Sequence, residues 1–144
     1  MNVVAQILEE KGRSVLQIEA DATVFEAITM MVEGNVGSLL VTDGGRLAGI
    51  VTERDYLRRV TIEGRTETDT TVGEIMSAPL VYITPETTIE ESMAVMTERR
   101  IRHLPVLSDG GDLVGVVSIG DVVKFTSRQQ SFELKYLTDY ISGH

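Results

Sequence analysis

Residues 115–121 read GVVSIGD, and residues 49–55 read GIVTERD. Each stretch begins with glycine and two β-branched aliphatics, passes through a hydroxyl residue and reaches an aspartate three places later. Gly-Val-Val and Gly-Ile-Val have the pattern of short buried strands. The hydroxyl residue then falls where a following helix takes its N-cap, with the aspartate at the third helical position. A helix start of this kind turns backbone N–H groups outward, a setting suited to an anion. Two such places in 144 residues point to a duplicated ligand-binding module.

Working outward, the duplication extends over most of the chain. Ile7-Leu8 matches Ile75-Met76, and residues 15–18 (VLQI) match 80–83 (LVYI). Thr23 and Glu26 match Thr88 and Glu91, and residues 36–41 (VGSLLV) match 101–106 (IRHLPV). Thr23 lies 65 positions before Thr88, and Gly49 lies 66 before Gly115. Each copy reads as strand, helix, strand, turn, strand, helix. The first helix opens on a capping box, Thr23 with Glu26 and Thr88 with Glu91. Its apolar face is Val24, Ala27, Ile28 and Met31 in one copy and Ile89, Ser92, Met93 and Met96 in the other. Asp43-Gly44-Gly45 and Asp109-Gly110-Gly111 supply hairpin turns. The predicted boundaries are 1–65 for the first unit with an N-terminal helix, its Val4, Ile7 and Leu8 inward, and 66–126 for the second. A C-terminal helix follows within 127–144, with Phe132, Leu134, Leu137 and Ile141 apolar; His144 is terminal. Residues 61–71 read as a polar connecting loop.

Composition narrows the function classes. Hydrophobic residues make up 42% and charged residues 24%, values ordinary for a globular protein. The absence of cysteine removes disulfides, zinc–thiolate sites and thiol catalysis. The net charge of −9 repels nucleic acid over long range, so no nucleic-acid partner is expected. No segment approaches the ~18 apolar residues of a membrane span. The opening MNVVAQILEE has neither the basic nor the apolar region of a signal peptide, which makes the cytoplasm the expected location. No acidic or histidine spacing marks a metal site.

The paired Gly-led motifs, Ile75-Met76 and residues 101–106 together resemble a tandem pair of CBS domains, named after cystathionine β-synthase. The resemblance covers about residues 1–126. It implies an α/β (α+β) fold of two β-α-β-β-α units about a pseudo-two-fold axis, with adenosine-containing ligands bound in clefts between them. AMP, ADP, ATP and NAD are the ligand class, with magnesium only alongside ATP. Carried onto this sequence, Asp55 and Asp121 would hold ribose, and Thr52 and Ser118 would approach phosphate. Arg102 and His103 would add phosphate contacts, whereas the first copy has Gly37 and Ser38 there; the two sites should therefore differ. Arg54, beside Asp55, is a further candidate, although charges on such helices are commonly solvated. Val15 and Val81 are candidates for the adenine wall.

The chain shows no nucleophile, base and metal constellation and no Gly-rich phosphate fingerprint, so catalysis is not expected. The reading is a regulatory or sensor module that binds adenine nucleotides, associates as a homodimer and acts on an effector protein that the sequence does not identify. Its alternative is a structural dimerisation adaptor with vestigial clefts.

Overall fold

Both Gly-led stretches form the strands that their pattern predicts, and each glycine lets a second segment lie directly on its strand. The computed structural model describes residues 1–141, apart from the side chains of 132–134 and 136–141. In chain order it contains α1 (Val4–Lys11), β1 (Gln17–Glu19), α2 (Val24–Gly34), β2 (Ser38–Asp43) and β3 (Arg46–Thr52). Then come α3 (Glu53–Tyr56), continued as a π-turn over Leu57–Thr61, α4 (Val72–Ile75) and α5 (Ile89–Arg99). The last elements are β4 (His103–Leu107), β5 (Leu113–Ser118) and α6 (Ile119–Ile141). Two compact units result: Ser14–Val81, and Met1–Arg13 together with the chain from Tyr82 onward. Units in space and copies in sequence, at 1–65 and 66–126, are thus cut differently. Helix α1 folds with the second copy, and α4, which lies at the start of the second copy, folds with the first.

In the unit Ser14–Val81, β1 pairs parallel to β2, and β2 pairs antiparallel to β3. The β2–β3 turn is Gly44-Gly45, both at positive φ (61° and 84°), the backbone that a two-residue hairpin needs. Helix α2 buries Val24, Ala27 and Met31, with Ile28 packed at the edge of this core, as the spacing predicts. The Thr23 hydroxyl accepts the N–H of Glu26 at 3.1 Å. Segment 76–77 runs against β3, with Ser77 and Ile50 exchanging backbone bonds of 2.8 and 3.2 Å. A Cβ on Gly49 would stand 2.6 Å from the Ser77 carbonyl oxygen. Glycine here is a requirement of that pairing.

The other unit repeats the plan with one strand fewer. β4 and β5 pair antiparallel, and α5 carries the full capping box between Thr88 and Glu91. Its inner face is Ile89, Ser92 and Met96; Met93, which the spacing placed with them, is 39% exposed. Residues 80–83 do not form the predicted strand: Ile83 alone bridges to Val106. The cause is Pro105. In the first copy the N–H of Leu40 donates to Leu16 O at 3.1 Å, but proline at the matching position has no N–H to donate. The ladder keeps only the bonds from Ile83 N–H to Pro105 O (3.0 Å) and from Leu107 N–H to Ile83 O (2.9 Å).

Helix α1 has the predicted inner face of Val4, Ile7 and Leu8, all buried. Leu8 rests on β5, where a Cβ on Gly115 would lie 2.8 Å from its Cδ2. Helix α6 runs unbroken from Ile119 to Ile141, so the C-terminal helix expected as a separate element continues the capped helix. No proline or glycine interrupts the chain between Gly120 and Gly143. The apolar side chains predicted on its last turns, and His144, lie outside the described residues.

These two contacts differ in what must yield. Gly49→Ala opposes a backbone carbonyl, whereas Gly115→Ala opposes the end of a leucine side chain that can change rotamer. Both substitutions should destabilise, Gly49→Ala by about 2–3 kcal/mol and Gly115→Ala by about 1 kcal/mol. Urea unfolding should rank them in that order.

Candidate functional site

At the end of each Gly-led strand, a hydroxyl residue and an aspartate close a reciprocal cap. Thr52 N–H donates to Asp55 Oδ2 at 2.9 Å, and Asp55 N–H donates to Thr52 Oγ1 at 3.2 Å. In the second copy, Ser118 N–H donates to Asp121 Oδ2 at 2.9 Å, and Asp121 N–H donates to Ser118 Oγ at 3.1 Å. The strand register places Ser38 opposite Thr52 and His103 opposite Ser118. One residue earlier, the Gly37 carbonyl accepts from Glu53 N–H at 3.1 Å and that of Arg102 from Ile119 N–H at 2.9 Å. The N–H groups of Ser118, Ile119 and Asp121 are therefore engaged within the protein, which narrows what the helix start can offer an anion.

The two carboxylates differ in their third partner. Asp55 is buried, 9% exposed, and its Oδ1 accepts from the Ser77 hydroxyl at 3.1 Å. Asp121 is half-buried, and its Oδ2 accepts from Lys11 Nζ at 2.6 Å. Lys11 Nζ also donates to the Val116 carbonyl at 2.8 Å. Both of these bonds to Asp121, from Ser118 N–H and from Lys11 Nζ, fall on Oδ2. Burial of the Asp121 carboxyl by itself raises its pKa. The bond from Lys11, the Ser118 N–H and the Lys11 charge outweigh that and hold it below the ordinary aspartate value.

Thr52, Asp55, Ser118, Asp121 and His103 thus stand at the strand ends in two sets, one per unit. His103 is half-buried; Arg102 is exposed and contributes its carbonyl to the α6 cap. Arg54 is exposed on α3, and Val15 and Val81 are half-buried outside the strands. Lys11 and Ser77 did not emerge from the sequence reading. Lys11 is 110 residues from Asp121, and Ser77 is 22 from Asp55, so no local pattern joins them. Among the described residues, no group of three or more His, Asp or Glu side chains could hold a metal, and no helix is long and apolar enough to cross a membrane.

The CBS domain model matches residues 4–62 and 72–128. A mitochondrial CBS domain-containing protein of Arabidopsis thaliana, CBSX3, is 42% identical over 97% of this chain and 72% of its own length. The solved structure of a putative signal-transduction protein with CBS domains from Burkholderia ambifaria has a TM-score of 0.83 and 48% identity. It covers 87% of this chain and 93% of that one. A hexameric CBS-CP12 protein from bloom-forming cyanobacteria has a TM-score of 0.77 and 30% identity, covering 85% of this chain and 70% of that one. The chain belongs to the CBS domain family and carries two CBS units. That family comprises CBS-pair regulatory modules, and relatives among them assemble as oligomers.

The depressed pKa of Asp121 ties its ion pair to stability. A carboxylate with a lowered folded pKa stabilises fully above its unfolded value, near pH ~4, and that contribution is lost as the pH falls through the folded value. The Lys11 and Asp121 side chains are 39% and 23% exposed, so water screens the pair. Asp121→Asn should therefore cost about 0.5–1 kcal/mol at pH 7 and progressively less as the pH falls below about 4. Urea denaturation of both proteins across this range checks the sign and size.

Proposed function

We propose that this protein is a regulatory module that senses an adenosine-containing nucleotide of the AMP, ATP or NAD type, with magnesium accompanying only ATP. The observation that carries the reading is the Asp121 carboxylate. It sits at a strand end and helix start, capped through Oδ2, and is the proposed acceptor for the paired hydroxyls of a ribose. Asp55 repeats the cap, but its burial and the Ser77 bond make it the weaker of the two ligand positions. Ser118, Arg102 and His103 are the proposed phosphate side of the Asp121 site, with Thr52 and Arg54 their counterparts near Asp55. Val15 and Val81 remain candidates for adenine. The ligand is bound and not converted, and its occupancy is read by an effector protein.

A second reading has a specific observation behind it. Both aspartates complete helix caps, a role that needs no ligand and suits a structural adaptor. The two readings part on Asp121→Ala. Loss of a charge-assisted ribose contact should weaken binding by about tenfold to hundredfold, or ~1.5–3 kcal/mol. A cap alone would lower stability by about 1 kcal/mol and leave affinity unchanged. Calorimetric titration of AMP and ATP into both proteins measures this difference, and equal affinities would establish the adaptor.

Self-association is part of the same proposal. Phe25 and Val32 on α2, Leu57 after α3 and Val123 on α6 are between 55% and 75% exposed, apolar area that an isolated small chain rarely leaves uncovered. Light scattering at micromolar concentration should give about twice the chain mass of 15.8 kDa. A mass near one chain would remove the homodimer.

A further inference from the structure

We propose that Lys11 makes the Asp121 site selective for the charge of its ligand, favouring phosphorylated nucleosides over the uncharged nucleoside. This rests on the nucleotide reading above and adds to it a specificity residue. A carboxylate suited to ribose also repels the phosphate attached to that ribose, a conflict within the ligand's own site. At Asp121 the conflict is relieved within the protein, because Lys11 Nζ lies 2.6 Å from Oδ2 and balances its charge. At Asp55 the partner in the place of Lys11 is the neutral Ser77 hydroxyl, which bonds the carboxylate without cancelling its charge.

Lys11 is delivered by a firmly seated element. Val4, Ile7 and Leu8 of α1 are at most 3% exposed, and the ammonium is further held by the Val116 carbonyl at 2.8 Å. Beside it a groove of about 340 Å³ opens between α1 and α6, with Lys11, Lys124, Arg128, Glu10 and Asp121 among its walls. Arg128 is paired with Glu10 at 2.7 Å and Lys11 with Asp121, which leaves the wall with the surplus positive charge of Lys124. An anionic tail extending from ribose at Asp121 therefore meets a site whose carboxylates are already balanced. Removing Lys11 returns the uncompensated Asp121 charge to the ligand's path.

The test is calorimetric titration of adenosine, AMP and ATP into the unaltered protein, Lys11→Met, Lys11→Arg and Asp121→Ala. Lys11→Met should weaken AMP by about threefold to tenfold and ATP by more. Adenosine should change by less than about twofold, and Lys11→Arg should restore the order of the unaltered protein. If Lys11→Met weakens adenosine and ATP equally, or neither, while Asp121→Ala still weakens binding by about tenfold or more, the nucleotide reading stands and this inference is overturned. If no adenosine compound binds the unaltered protein, the nucleotide reading itself falls and takes the inference with it.

Discussion

A strand that presents a bare Cα to an incoming segment is the constraint on which each unit depends. At Gly49 the incoming atom is a backbone carbonyl, and at Gly115 it is the side chain of Leu8. Larger residues would push these segments away from the sheet. With them would go the side chains they bring to the helix caps: Ser77, in the segment laid on β3, and Lys11, one turn beyond Leu8 on α1. The glycine that opens each motif thus shapes the surroundings of the aspartate that ends it, six residues later. Packing at one end of the strand selects the chemistry at the other.

Legibility in the sequence followed the range of the interaction. The caps at Thr52–Asp55 and Ser118–Asp121 were readable because donor and acceptor lie three residues apart, and helical spacing exposed the inner faces of α1 and α2. The duplicated order of elements was readable because the copies keep a nearly constant offset. What escaped was set by single residues or by distance. Pro105 sits in a sequence of strand character, yet its missing N–H cancels the ladder bond that Leu40 makes in the first copy. Met93 fits the helical face by period and is still partly exposed. The pairing of α1 with the second copy, and hence Lys11 with Asp121, joins chain positions with no shared local pattern.

Capping and ligand binding need not compete for the same atoms. In both copies the cap is closed through Oδ2. The fold therefore restricts one oxygen of each aspartate and leaves the rest of its surroundings to differ. In the first copy Oδ1 is taken by Ser77 and the group is buried; in the second, Lys11 joins the cap on Oδ2 and the group is half-buried. Moving either aspartate would cost its helix a cap, so neither is free to drift even where one copy binds nothing. The residues free to diverge are those that reach the carboxylates from elsewhere in the chain. Serine in one copy and lysine in the other change the charge at the site without disturbing the cap, which is how a duplicated fold can come to hold two unlike positions.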